Sequence, residues 1–152
     1  MSVLLTLLLA GAIEFGFLFG HKIELAGAAR AGARWAAGHP SAWTNASAAA
    51  STTIEGQIAS AGGTGQLPND DAHVQIEYFA VTGSTATLCG RWSAGSNRFL
   101  PVAGYSQATC VIDGNLVRVT AVNTYPLLTA LISRVVGPGV TMRAAASMVL
   151  IG

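Results

Sequence analysis

The sequence predicts an α+β fold, in which a long N-terminal transmembrane helix continues into a small, mostly antiparallel β-sheet domain. Three observations predict it. Residues 3–20 form an apolar run broken only by Thr6 and Glu14. No proline occurs before Pro40, so nothing interrupts a helix that starts in that run. Further along, apolar and polar residues alternate over 73–81 and 116–125, the period of a half-buried strand. Together they divide the chain into a membrane-spanning and extended helix, residues 1–38, and an exported α+β domain, residues 39–152.

Composition agrees with that division. Of the 152 residues, 51% are hydrophobic and only 10% charged, too apolar for disorder and too poor in charge for an ordinary cytosolic surface. The formal net charge is +1 and no block of like charges occurs, so there is no footprint for nucleic acid.

The helix is predicted over residues 3–37. Eighteen residues of apolar run rise far enough to cross most of a ~30 Å hydrocarbon layer. Residues 21–37 continue it with alanine and arginine, good helix formers, and Gly38-His39-Pro40 reads as its stop. At 100° per residue, Ala12, Gly16, Gly20, Gly27, Ala31 and Gly38 fall within roughly one quadrant. Gly16 and Gly20 form a small-xxx-small pair of the kind that lets helices approach closely in lipid. Arg30 and Arg34 lie on the same stripe and would face a partner's acidic groups, a helix C-terminus or water. Glu14 is the one ionisable residue in the apolar run, and a buried intramembrane acid marks a specific partner unless it reaches water at an interface.

Two readings of this segment compete. Ala10-Gly11-Ala12 has the form of a signal-peptidase site, which would make the chain a secreted or periplasmic binding module. Against that, only Met1 and Ser2 precede the apolar core, and the run continues past the site as Ile13-Glu14-Phe15. Lys22, Arg30 and Arg34 all follow the span, so a literal charge count puts that side in the cytoplasm. A basic leader preceding Met1 would reconcile the count with export.

Beyond the helix, residues 41–52 are low in complexity and read as loop or short helix, and 53–59 have weak helical spacing. Pro68-Asn69-Asp70-Asp71 reads as a turn. The strand over 73–81 places Val74, Ile76 and Tyr78 on one face. Residues 108–112 and 116–125 flank Asp113-Gly114-Asn115, which predicts a hairpin. Residues 126–132 read as apolar helix or loop, Gly137-Pro138-Gly139 as a break, and 140–150 as a last strand. Cys89 and Cys110 are the two cysteines. Export favours a disulfide between them, closing a loop of roughly 20 residues; a reducing compartment would leave two buried thiols.

Motifs for chemistry are missing. His21, His39 and His73 share no metal-like spacing, no G-x-S-x-G marks a nucleophile, and Gly62-Gly63-Thr64-Gly65 lacks the lysine of a phosphate loop. His73 beside Asp70 or Asp71 is all that a hydrolytic triad could be composed from, and the two aspartates could at most hold calcium weakly. The expectation is a protein that is not an enzyme and takes no cofactor and no metal.

Residues 7–37 resemble the N-terminal block of TadE-like proteins of tight-adherence (Flp-type) pilus systems. The resemblance lies in Ile13-Glu14-Phe15-Gly16 and, after it, Ala28-Ala29-Arg30-Ala31-Gly32-Ala33-Arg34-Trp35-Ala36. A valine-rich strand ending in Tyr125-Pro126 and a final strand from Met142-Arg143 to Met148 are similar in style. The resemblance implies a pilin-like minor pilin or pseudopilin. It would be anchored in the bacterial inner membrane by one pass, with the globular part in the periplasm. Its partners would be other pilin or pseudopilin subunits, the inner-membrane pilus assembly machinery and the lipid bilayer, with no nucleic acid. Many members open on a basic leader and a glutamate–phenylalanine pair at a prepilin-peptidase site, which a start codon placed further upstream would supply here.

Overall fold

A computed structural model describes residues 2–44, 50–62, 67–127, 134, 137 and 139–152, with side chains from residue 5 onward. The first element, α1 (Ser2–Gly38), is one helix of 37 residues, about 55 Å long. It is followed by a short α2 (Ile54–Ala61), then β1 (Val74–Thr82), β2 (Thr85–Ser93), β3 (Arg98–Pro101), one turn of helix α3 (Gln107–Cys110), β4 (Leu116–Pro126) and β5 (Gly139–Val149). Among the described residues the strands form a single antiparallel sheet in the order β3-β2-β1-β4-β5. The expected α+β architecture is therefore the observed one.

Each element has a local cause. Thr53 caps α2 by accepting from the Gly56 amide at 3.2 Å. Gly56 itself has no room for a side chain, because a Cβ would meet the Ala50 carbonyl. Val74, Ile76 and Tyr78 alternate inward along β1 and pair with Ala121, Val119 and Val117 of β4, which share that face. Val119 and Ala121 in turn oppose Ala146 and Ala144 of β5. Between β1 and β2 lies a two-residue turn, Gly83-Ser84, with Gly83 at φ +62° and Ser84 at negative φ, the pattern of a type II′ hairpin.

The core lies between this sheet face and the second half of α1, with α2 closing one side. Leu25, Ala28, Ala29, Ala33 and Ala36 are the helix's buried residues there. Their small side chains bring the backbone close to the sheet. Gly32 marks the tightest approach: a Cβ would lie 2.8 Å from Ile58 Cδ1, 3.2 Å from Val119 Cγ1 and nearer still to Ile58 Cγ1. Tyr78 is fully buried; its hydroxyl donates to the Pro40 carbonyl at 3.0 Å and accepts from the Trp43 indole at 2.7 Å, tying the end of α1 to the sheet.

One expected element does not form. The hairpin predicted around Asp113-Gly114-Asn115 is replaced by α3, which begins at a capping box between Ser106 and Thr109. Gly114 still takes a positive φ of 84°. The turn is used differently, because the Asn115 side chain donates to the Cys110 carbonyl and accepts from the Val81 amide, lashing the loop to β1. Strands β2 and β3 were not anticipated. Of the loops read from sequence, residues 45–49 and 63–66 and the apolar stretch 128–133 lie outside the described residues.

Candidate functional site

With nothing in the sequence pointing to a reaction, the candidate site is a surface, and α1 presents two. Its inner face carries Glu14, Leu18, His21, Leu25, Ala28, Ala29, Gly32 and Ala36, all buried or half-buried. Helix periodicity puts Ala12, Gly16, Gly20, Gly27 and Ala31 on the opposite side. Among the described residues nothing covers that side: a Cβ placed on Gly16, Gly20, Gly27 or Gly38 would meet no atom of theirs within 4 Å. Ala12 is exposed and Ala31 half-buried, while Arg30 and Arg34 are both exposed on this outer side. The stripe is thus continuous from the apolar half of the helix into its alanine- and arginine-rich half.

Glu14 does not share that stripe. It is 5% exposed and sits on the inner face, where it lines a cavity of about 250 Å³ with Phe17, Leu18, His21, Tyr125 and Pro126. The His21 ring stacks on Tyr125 with centroids 4.0 Å apart, and its Nδ1 lies 3.4 Å from Glu24 Oε2. One residue on, Lys22 donates to the Arg143 carbonyl of β5. The globular part therefore leans on α1 well into the apolar run, and Glu14 lies behind it. Around the rest of the helix, Leu5, Leu8, Leu9, Ile13, Phe15, Phe17, Phe19 and Ile23 project outward. Among the described residues α1 is the one helix long and apolar enough to cross a membrane.

The remaining sequence candidates have structural partners. Cys89 and Cys110 are joined by a disulfide, Cα–Cα 5.7 Å, which fastens α3 to β2. Asp70 Oδ1 accepts from the Ala72 and His73 amides and contacts His73 Nδ1 at 2.7 Å. Partial burial acts to raise the Asp70 carboxyl, but the hydrogen bonds and charge of His73 outweigh it and hold the group below its ordinary value. Asp71 accepts from Ser93 Oγ and the Ala94 amide, each at 2.6 Å, and so pins the β2–β3 turn. His73 and Ser93 are engaged by different aspartates. No group of three or more His, Cys, Asp or Glu converges among the described residues.

Sequence reasoning overlooked one cluster. Trp43 stacks on Trp92 at 4.7 Å and packs against Phe99 and Tyr78, and Gly90 leaves room for the Phe99 ring, which lies over it from the diagonal position on β3. Beneath these rings lies Glu55, 2% exposed, with neither carboxylate oxygen in an ordinary hydrogen bond. Desolvation raises its carboxyl above the usual range, opposed by weaker contacts to backbone amides and the Trp92 indole. The available signal was Gly90, two residues before Trp92, with Phe99 diagonal to it on β3, and it needs β2 and β3 to be recognised first.

Comparison with known proteins bears on α1. The family model described as TadE-like protein matches residues 1–34, the segment holding the Glu14 run and the Arg30–Arg34 block. The strands at 117–126 and 142–148 lie outside the match. No curated protein and no solved structure matches the chain. The TadE-like opening and the apolar helix fit a membrane protein associated with a tight-adherence pilus, a structural family.

Proposed function

We propose that the chain is a minor pilin or pseudopilin that acts structurally in assembly of a tight-adherence pilus. In this reading residues 1–38 span and leave the bacterial inner membrane in a single pass, and residues 39–152 stand in the periplasm. Neighbouring pilin or pseudopilin subunits, or helices of the assembly machinery, pack along Ala12, Gly16, Gly20, Gly27 and Ala31. Arg30 and Arg34 flank that seam where it leaves the lipid and face acidic groups of the neighbour.

The observation that carries the reading is the open outer side of α1. Glycine inside a helix costs about 0.5–1 kcal/mol relative to alanine. At Gly32 and Gly56 the fold itself requires that cost, because a Cβ would collide. At Gly16, Gly20 and Gly27 nothing among the described residues does, and close approach of another helix supplies a physical reason for them.

The test is cross-linking in membranes of the producing bacterium, keeping the native disulfide by omitting reductant. Gly16→Cys and Gly27→Cys each yield adducts with a second subunit or a machinery helix, whereas Ala145→Cys on the far side of the sheet yields none. Absence of adducts at both helix positions overturns the packing role. A mature N-terminus at Ile13, read by mass spectrometry, overturns the anchored reading as a whole and leaves a secreted module.

A further inference from the structure

The globular part touches the apolar half of α1 as well as its exported half, and that contact has a consequence for where lipid must lie. Tyr125 stacks on His21, and Tyr125 and Pro126 close the cavity over Glu14, Phe17 and Leu18. The end of β4 is therefore level with residues 14–21 of the helix. At about that height, around the rest of the helix, Ile13 is 51% exposed, Phe15 69%, Phe19 59% and Ile23 57%. Large apolar side chains left open in a ring require an apolar surrounding. If lipid supplies it, its surface must rise to about residue 20, and a bilayer that reaches this height beside the helix also meets whatever stands against the helix there.

We propose that the end of the sheet formed by Tyr125, Pro126 and Leu127 is embedded at the boundary between headgroups and acyl chains. The globular part is then itself membrane-bound, and lipid is the occupant of this surface. The proposal rests on the anchored reading above.

The chemistry of the tip suits that place. The sequence carries no charged residue between Arg118 and Arg134, so no ion has to be desolvated as the end of β4 enters. Tyr125 is itself only 8% exposed, its ring held against His21, so the surface the tip offers to lipid is that of Pro126 and Leu127. Pro126 is exposed and Leu127 half-buried, leaving apolar surface to bury. Charge returns one residue past His21: Lys22 is exposed and donates to the Arg143 carbonyl, placing an ammonium just above the level of the tip, where a lysine can reach headgroup phosphates. Held at two points, the helix and the tip, the subunit cannot swivel freely about α1. The outer stripe then keeps a fixed heading in the plane of the membrane, and Glu14 is screened from acyl chains by the tip in front of it.

The experiment uses the full chain, without reductant, in vesicles of phosphatidylcholine and phosphatidylglycerol carrying a spin label at carbon 5 of the acyl chain. A single environment-sensitive NBD group is attached at Leu127→Cys, at Pro126→Cys as a second variant, at Leu9→Cys inside the span, and at Ala145→Cys on the exposed far face of the sheet. Labels at 126 and 127 should lose most of their emission to the lipid spin label, as at 9, and resist dithionite added to the water, whereas the label at 145 should do neither. Quenching at 9 with 126 and 127 behaving like 145 overturns the proposal and leaves the anchor standing. Labels at 126 and 127 that resist dithionite without being quenched by lipid also overturn it, since protein and not lipid then covers the tip. Failure of quenching at 9 as well overturns the anchored reading together with this one.

Discussion

Glycine carries two opposite meanings in this chain, and the neighbouring atoms decide which applies. Gly32 faces inward, where Ile58 and Val119 occupy the space a side chain would need. Gly32→Val should therefore force the helix off the sheet, and overpacking of this kind costs about 1–3 kcal/mol. A lowered thermal midpoint of the full chain in detergent would show it, and an unchanged midpoint would mean that α1 does not pack here as described. Glu55 poses a different residue-scale question. Its folded-state carboxyl is raised by burial, so the fold prefers the protonated form. The sign follows by linkage: the stability is present in full below the unfolded carboxyl's value and is lost as pH climbs through the folded one. The midpoint of the wild type should fall as pH rises above the ordinary carboxylate range, while that of Glu55→Gln stays level and the two coincide in acid. Parallel curves would rule out Glu55 as the titrating group. Its place in the first turn of α2, where a negative charge meets the helix dipole favourably, offsets part of the cost.

At the scale of elements, what could be read from the sequence was what repeats. The unbroken apolar run and the absence of proline make α1 legible, and strict alternation makes β1 and β4 legible. Strand β2 was not, for identifiable reasons. Residues 85–88 are all exposed, so they show no inward face, and Gly90 has no side chain where the pattern needs one. The Gly83-Ser84 turn that starts it was nonetheless a valid hairpin signal. Asp113-Gly114 misled in the other direction. Its positive φ is real, but the preceding residues prefer a capped helical turn, and Asn115 bonds to a carbonyl and to a neighbouring strand instead of continuing a ladder. The disulfide then fixes that turn of helix against β2 across a separation of 21 residues. A loop of that size is worth about 3 kcal/mol in the loop-entropy model. Reducing it, or making Cys89→Ala with Cys110→Ala, should lower the unfolding midpoint by a corresponding amount, read by urea titration of the full chain in micelles. An unchanged midpoint would show that the sheet holds α3 without help.

For the molecule as a whole, the question is why one helix should have a covered and an uncovered side from Glu14 onward. The sequence places the small residues on a stripe but cannot say which side the domain takes, since Ala28, Ala29, Ala33 and Ala36 opposite are equally small. The structure separates the two by what surrounds them: the alanines meet the sheet, and a Cβ on Gly16, Gly20 or Gly27 would meet none of the described residues. In the proposed reading, fold and assembly fall to different residues of one helix and can be perturbed separately. Arg30 and Arg34 supply the sharpest case, being exposed, on the outer side, and within the residues matched by the TadE-like model. Reversing both, Arg30→Glu with Arg34→Glu, should leave the thermal midpoint within about 0.5 kcal/mol of the wild type, as expected for exposed surface changes. The same variant should lose most cross-linking at Gly27→Cys, because a neighbour chosen for acidic groups is now repelled, while cross-linking deep in the span at Gly16→Cys is affected less. Equal loss at both positions would mean that the arginines act on insertion or folding, and undiminished adducts at Gly27 would mean that they face water and take no part in the seam.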